Sequence, residues 1–248
     1  MTDEKKLSPQ ELQERVRRFY GRYGEELEQI KELLAIKLRQ LSLAYTLNNR
    51  LPKEAIIVAA RVKTQESFLK KLAHAGWPQF YYPTEIVKDM IGARVICWFL
   101  DDSYGMLDCI KSSNHFVIHD DKSAPIRDYV KEPQFAGYRA IHVFADVTYD
   151  SVLRDETKAA IVTPAKILCE VQIRTKLQDA WADITHEFFY KARNFGITNR
   201  EYETLLADLA ERLTVEDKSF MKFRNIYQQM ADAKQAADSR EGFRESNI

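Results

Sequence analysis

The sequence predicts an α+β fold: a mixed β-sheet of about five strands flanked by helices, with N- and C-terminal helical extensions. Three observations predict it. Residues 92–100 are a near-continuous apolar run of buried-strand length. Lys166 to Thr175 alternates as a strand and leads directly into Leu177, Trp181, Ile184 and Phe188 at helical spacing. Along the chain the pattern reads helix, strand, helix, strand, helix, three strands, then helices, with no internal repeat.

Each element has its own signal. Residues 9–48 read as helix, with Leu27, Ile30, Leu33, Leu34, Leu38, Leu41 and Tyr45 on one stripe and a break or kink at Gly21 and Gly24. Pro52 marks a boundary. Residues 55–62 read as a short strand or a turn. Glu66 to Ala75 reads as a helix closed by Gly76-Trp77-Pro78. The apolar strand from Gly92 is followed by Asp101-Asp102-Ser103, a cap for a helix ending near Lys111. His115 to His119 is a short strand, residues 120–137 a long connection, and Tyr138 to Tyr149 a strand. Residues 150–164 read as a polar loop or hairpin. Residues 199–235 carry Leu205, Leu209, Leu213, Phe220, Phe223 and Tyr227 as a further helical stripe, and Ala236 to Ile248 read as a frayed end. The implied organisation is a helical extension at 1–50, a domain at 51–195 and a second helical extension at 196–248.

Composition narrows the class. The 248 residues suffice for one domain with helical additions. Apolar residues make up 45% and charged residues 30%, as in ordinary globular proteins, and the formal net charge is zero. That balance argues against broad non-specific nucleic-acid binding, though it permits a local basic pocket. No apolar run is long enough to span a membrane, and Met1 to Lys6 lacks a signal-peptide core, so a cytoplasmic location is expected. Cys97 and Cys169 sit in apolar runs and read as buried thiols, and no cysteine spacing suits zinc.

Four segments place polar residues where a core strand or a plain loop has no use for them. Glu170, Gln172 and Arg174 share one strand face, with Cys169, Val171 and Ile173 on the other. An acid, an amide and a guanidinium in a row can hold a metal or deprotonate a hydroxyl beside a phosphate; a polar sheet face is the plain alternative. Asp179, Asp183 and His186 then fall near one helical face, and Glu187 with Lys191 reads as a solvated pair. Arg61 and Lys63 precede a helix with Ser67 in its first turn, which suits a triphosphate or a simple solvated helix start. Asp89, Gly92 and Arg94 suit a Mg²⁺-bound carboxylate beside a phosphate- or base-contacting guanidinium, or an internal Asp89–Arg94 ion pair. Arg127 and the run Gly137-Tyr138-Arg139-Ala140-Ile141-His142 offer a stacking ring with a phosphate contact, or a core tyrosine and histidine. His119-Asp120 reads as a loop pair.

Together and in this order, these segments resemble the synthetase domain of RelA/SpoT-type alarmone synthetases over about residues 55–192. The shared patterns are Arg-x-Lys…Ser, Asp-x-x-Gly-x-Arg, Gly-Tyr-Arg-x-x-His and Glu-x-Gln-Ile-Arg-Thr…Trp…His. The resemblance implies a nucleotidyltransferase-like fold and transfer of pyrophosphate from ATP to the 3′-hydroxyl of GDP or GTP, making (p)ppGpp. It implies that Arg61 and Arg94 sandwich adenine, and that Lys63, Ser67 and Arg127 hold ATP phosphates. Asp89 would bind Mg²⁺, and Glu170 would bind or activate the acceptor hydroxyl, with or without the metal. Tyr138 would stack on the acceptor base, with His142, Gln172 and Arg174 around it.

Two departures lie on the acceptor side. Gln134 stands where these enzymes usually carry a lysine, leaving Lys131 as the nearest cation, and Thr185-His186 replaces a usual Glu-His. The resemblance therefore also admits a toxic relative acting on a tRNA 3′ end or an adenosine nucleotide, with an antitoxin as partner. Basic residues at Arg15, Arg17 and Arg18, or Lys70 and Lys71, would serve a tRNA, and each also reads as a solvated helix face. An inactive nucleotide-sensing module is the third reading, and the presence of both Asp89 and Glu170 argues against it. The pattern implies a stand-alone synthetase without a hydrolase domain or a C-terminal regulatory module. Amphipathic ends suit packing on the sheet or a homo-oligomer such as a tetramer.

Overall fold

The computed structural model describes residues 6–118, 125–154, 159–194 and 200–245. The His119-Asp120 pair lies outside them. Helix α1, Pro9–Asn48, opens with a capping box: the Glu11 amide donates to the Ser8 hydroxyl, and the Glu11 carboxylate accepts from the Ser8 amide. It passes through Gly21 and Gly24 as one helix, so the expected break there is absent. Its stripe is buried at Leu27, Ile30, Leu34 and Leu38. Strand β1, Ile56–Val62, resolves the strand-or-turn choice for residues 55–62, and α2, Gln65–His74, follows with Thr64 as its N-cap. The short helix α3, Pro83–Ile86, leads to β2, Ile91–Cys97. Helix α4, Leu100–Ser112, takes Phe99 rather than the Asp-Asp-Ser run as its N-cap, and Asp101 and Asp102 instead lie in its first turn.

The remaining strands are β3, Phe116–Ile118, β4, Ile126–Asp128, β5, Ile141–Arg154, and β6, Ala160–Thr175. They form one six-stranded sheet in the order β1-β2-β6-β5-β3, with β4 beside β5. The strand missing from the expected five is β4. At three residues it is too short to show a period, and it sits inside what reads as a long connection. The pairing is antiparallel except between β2 and β6, which run parallel. Within the polar stretch 150–164, Asp150 to Arg154 and Ala160 to Pro164 are the paired arms of a hairpin.

Helix α1 and helix α4 pack on the sheet. The core between them holds Leu34, Leu38, Phe68, Ile91, Val95, Ile110, Ile141, Val171 and Ile173, all essentially inaccessible. Cys97 and Cys169 are buried there as free thiols. The C-terminal helices are α5, Lys176–Asn194, and α6, Arg200–Glu245. Helix α6 continues to Glu245 through residues that read as frayed, and 246–248 lie outside the described residues. The expected stripes on both helices hold at Trp181, which is buried, and at Leu213, which packs against its cluster, and are corrected elsewhere. Ile184, Phe188, Leu205, Leu209, Phe220, Phe223 and Tyr227 are exposed, while Gln178, Trp181, Ala182, Thr185, Leu206, Ala210 and Asp217 are buried. The reason is a close approach. A methyl at Gly137 would lie 2.6 Å from the Ala210 Cβ, so the small-residue face of α6 is the one that docks. Thr185 answers its own burial by donating to the Trp181 carbonyl at 2.7 Å.

Candidate active site

The sheet face opposite α1 and α4 carries two rungs of side chains. In one, Arg61, Gly92, Glu170 and Phe144 stand in register across four strands. In the next stand Ala59, Arg94, Gln172, His142 and Arg127. Together with Asp89, the members of these rungs on β1, β2 and β6 line an open cleft of about 290 Å³: Ala59, Arg61, Gly92, Arg94, Glu170 and Gln172. A Cβ at Gly92 would touch only the Glu170 carbonyl, at 3.7 Å. Packing therefore does not require glycine there, but its bare backbone keeps the cleft floor open to a ligand.

Arg61 and Arg94 are diagonal neighbours on this floor. That relation sets backbones roughly 7–8 Å apart, about two stacking distances, so a planar ring fits between two guanidinium faces. The Asp89–Arg94 ion pair does not form. Arg94 instead donates to Asp183 at 2.7 Å and lies 3.6 Å from Asp179. Asp89 is gripped by two ammonium groups, Lys63 at 2.8 Å and Lys71 at 2.8 Å. Burial works to raise the Asp89 pKa, but hydrogen bonds from these lysines outweigh it and hold the carboxyl below its ordinary value. Lys71 escaped the sequence reading as a solvated helix residue. Its signal was its place one helical turn beyond Ser67.

Beside the cleft, five side chains close a hydrogen-bonded ring. Arg174 NH2 donates to the Tyr138 hydroxyl at 2.7 Å and to Gln172 Oε1 at 2.6 Å. Gln172 Nε2 donates to Glu170 Oε2 at 3.0 Å. His142 Nδ1 meets Glu170 Oε1 at 2.8 Å, and His142 Nε2 meets the Tyr138 hydroxyl at 2.7 Å. With the carboxylate as acceptor, the network assigns the proton to Nδ1 and leaves Nε2 to accept from tyrosine. Burial pushes the Glu170 pKa up, but His142 and Gln172 outweigh it, so Glu170 stays ionised below its ordinary range. Burial also raises the Tyr138 pKa, which keeps its hydroxyl protonated.

Tyr138 precedes β5 rather than lying on it, so the expected face shared with Ala140 and His142 is not what aligns it. A left-handed turn does so instead, with Ala136 at φ 57° and Gly137 at φ 84°. The Gln134 amide closes this turn on the Tyr138 carbonyl at 3.1 Å, so position 134 acts through its backbone while its side chain is exposed. Tyr129 packs edge-on against His142 and Tyr138, and Trp181 lies 6.4 Å from Tyr138, completing an aromatic wall.

The sequence-derived residues thus fall into a cleft group and a ring. Arg61, Lys63, Asp89 and Arg94 gather at the first, with Ser67 exposed in the first turn of α2. Tyr138, His142, Glu170, Gln172 and Arg174 form the second. Arg127 stands on the same face beyond Glu170, its guanidinium 5.2 Å from the Phe144 ring. Lys131 stays outside both groups, paired with Asp128 at 3.2 Å and lying over the Tyr104 ring.

The family described as the region found in RelA / SpoT proteins matches residues 60–194. Two relatives from Bacillus subtilis (strain 168) are similar to the chain. GTP pyrophosphokinase YwaC is 31% identical over 137 residues, which cover 54% of this chain and 58% of that one. GTP pyrophosphokinase YjbM is 28% identical over 175 residues, covering 70% of this chain and 72% of its own. The chain thus spans well under two thirds of the first relative. Among solved structures, small alarmone synthetase 1 from Bacillus subtilis bound to its product pppGpp has the same fold. The TM-score is 0.66 at 24% identity, over 84% of this chain and 97% of that one. Among the described residues no helix is long and apolar enough to cross a membrane.

Proposed function

Because the chain belongs to the family defined by the region found in RelA / SpoT proteins, we propose that it transfers the β,γ-pyrophosphate of ATP to the 3′-hydroxyl of GDP or GTP, making (p)ppGpp in the cytoplasm. One observation carries the reading: Asp89 and Glu170 line one cleft, with Arg61 and Arg94 diagonal across its floor. The names of the relatives, GTP pyrophosphokinases, support the same reaction.

Adenine lies between Arg61 and Arg94, and the phosphates run toward Glu170. Lys63, Lys71, Ser67 and Arg127 are the polar groups along that path. Tyr138 and the aromatic wall receive the acceptor base, within reach of Gln172 and Arg174. The acceptor 3′-oxygen attacks the β-phosphorus, its proton passes to Glu170, and the bond to the α-phosphate breaks to release AMP. His142 and Gln172 orient the Glu170 carboxylate and keep it charged.

The residues also fit Mg²⁺. Asp89 and Glu170 offer hard carboxylate oxygens to one cleft. Among the described residues no group of three or more acidic, histidine or cysteine side chains forms a dedicated cage, which suits an ion completed by phosphates and water. Asp89 would hold it, with Glu170 beside it, and it would supply neutralisation of phosphate charge. The two ammonium groups now on Asp89 would then turn to phosphate oxygens.

The test is transfer of label from β-labelled ATP with Mg²⁺ to GDP, GTP, AMP, ADP, ATP and bulk tRNA in parallel. Label on GDP or GTP supports the reading. Label on tRNA or an adenosine nucleotide would replace it with the toxin-like acceptor class and make an antitoxin partner the next search. Absence of transfer with ATP still bound would leave a sensing module.

A further inference from the structure

Asp179, in the first turn of α5, touches both halves of the site. Its Oδ1 lies 3.3 Å from Arg174 NH1 and 3.6 Å from Arg94 NH1. Arg174 is a member of the hydrogen-bonded ring, whereas Arg94 is a wall of the donor cleft. One oxygen therefore serves two guanidinium groups, and both contacts are long. The two cations are not equivalent. The Arg174 side chain is 5% exposed and its Nε is buried without a hydrogen bond among the described residues. The Arg94 side chain is 34% exposed and is held more closely by Asp183, itself 57% exposed. Arg94 is thus the partner free to move, and Arg174 is the one with capacity to be held better.

We infer that Asp179 is a positioning residue that couples the two nucleotide subsites. A purine base stacking on Arg94 draws that guanidinium off Asp179. The carboxylate then closes on Arg174 alone and fixes the ring of Tyr138, Gln172, Glu170 and His142 in its acceptor-receiving form. ATP bound first therefore tightens GDP binding, and by linkage GDP tightens ATP. The inference rests on the reading that Arg94 belongs to the ATP subsite.

Calorimetric titration tests it, using GDP and α,β-methylene ATP with Mg²⁺, each alone and with the other saturating. Wild type should bind GDP at least about fivefold tighter when the analogue is present, within the usual range of coupling. Asp179→Asn should bring that ratio to about one while each nucleotide alone binds within about threefold of wild type. Asp183→Asn, which touches Arg94 only, should weaken or strengthen the analogue and keep the ratio. A merely structural role would shift affinities and melting temperature without erasing the ratio. Where Asp179→Asn fails to fold, Arg94→Gln breaks the bridge from the other end, and GDP alone should then bind as tightly as it does to the wild-type analogue complex. An Asp179→Asn ratio equal to wild type, or weak GDP binding by Arg94→Gln, would overturn the coupling. Wild type binding both nucleotides with a ratio of one would sink the coupling and leave the function standing. Wild type binding neither would sink both.

Discussion

Glu170 receives one hydrogen bond on each carboxylate oxygen, and the one on Oε1 comes from His142 Nδ1 at 2.8 Å. The pair joins neighbouring strands, His142 on β5 and Glu170 on β6, so the carboxylate is oriented by the sheet itself and not by a loop. A fixed, ionised carboxylate is what proton removal from a hydroxyl requires at neutral pH.

Replacing that carboxylate isolates its role. Glu170→Gln keeps an acceptor oxygen for His142 but cannot take a proton, so turnover should fall about 10²–10⁴-fold with little change in melting temperature. Because the folded pKa of Glu170 is depressed, the wild-type rate should hold as pH falls into the ordinary carboxylate range and drop only below it. Single-turnover assays from pH 4 to 8 check both, and full turnover by the variant would refute the assignment.

Lys71 offers a second check, on the proposed ATP subsite. Lys71→Ala removes one of the two cations on Asp89 and should raise the KM for ATP about tenfold with a smaller change in kcat. Lys70→Ala, whose ammonium pairs with Glu66, should leave the KM unchanged. Equal effects from the two variants would mean that only general surface charge is being read.

The turn before Tyr138 predicts a steric phenotype. Gly137→Ala combines a φ of 84° with a methyl 2.6 Å from Ala210 Cβ. It should cost about 1–3 kcal/mol and raise the KM for the acceptor more than that for ATP. Ala210→Gly in the same chain should recover part of the loss, since it relieves the contact and leaves the backbone strain. Thermal melts and initial rates on both variants decide it.

Asp217 predicts an unusual pH dependence. It is 2% exposed and accepts from the Thr175 hydroxyl at 2.8 Å, and burial pushes its pKa up to about 6. The folded state then binds more protons than the unfolded one between the ordinary aspartate value and about 6, so this residue's contribution to stability falls as pH rises through that window. Asp217→Asn keeps an acceptor for Thr175 without the charge. It should be more stable than wild type at pH 7.5, by up to ~2 kcal/mol, and the advantage should shrink toward pH 4. Denaturant melts at both pH values measure this, and an advantage that grows on acidification would contradict it.

Much of the site was legible because strand alternation is a strong rule. It placed Glu170, Gln172 and Arg174 on one face and Val171 and Ile173 in the core, as found. Tyr138 was legible as a site residue but not as a turn residue, since its orientation depends on the φ of Gly137 and on the contact with Ala210, more than seventy positions away. Strand β4 was hidden by its length. The helix stripes failed where apolar spacing was equally good on two faces. Leu205 and Leu209 obey the same period as Leu206 and Ala210, and only the close approach to Gly137 selects between them. The partners of Asp89 and Arg94 were illegible for a related reason, because pairing of charges is decided by tertiary neighbours.

The parallel pairing of β2 with β6 has a consequence for biosynthesis. Gly92 and Glu170 are register partners about eighty residues apart in the chain, and closing so long a loop must precede any contact that rewards it. Arg61, Lys63, Asp89 and Arg94 emerge from the ribosome long before Glu170, which joins them through the pairing of β6 with β2. Under the proposed function a nascent or truncated chain is consequently silent: it carries the residues proposed to hold ATP but lacks the carboxylate proposed as the base, so transfer should begin only once β6 has joined β2.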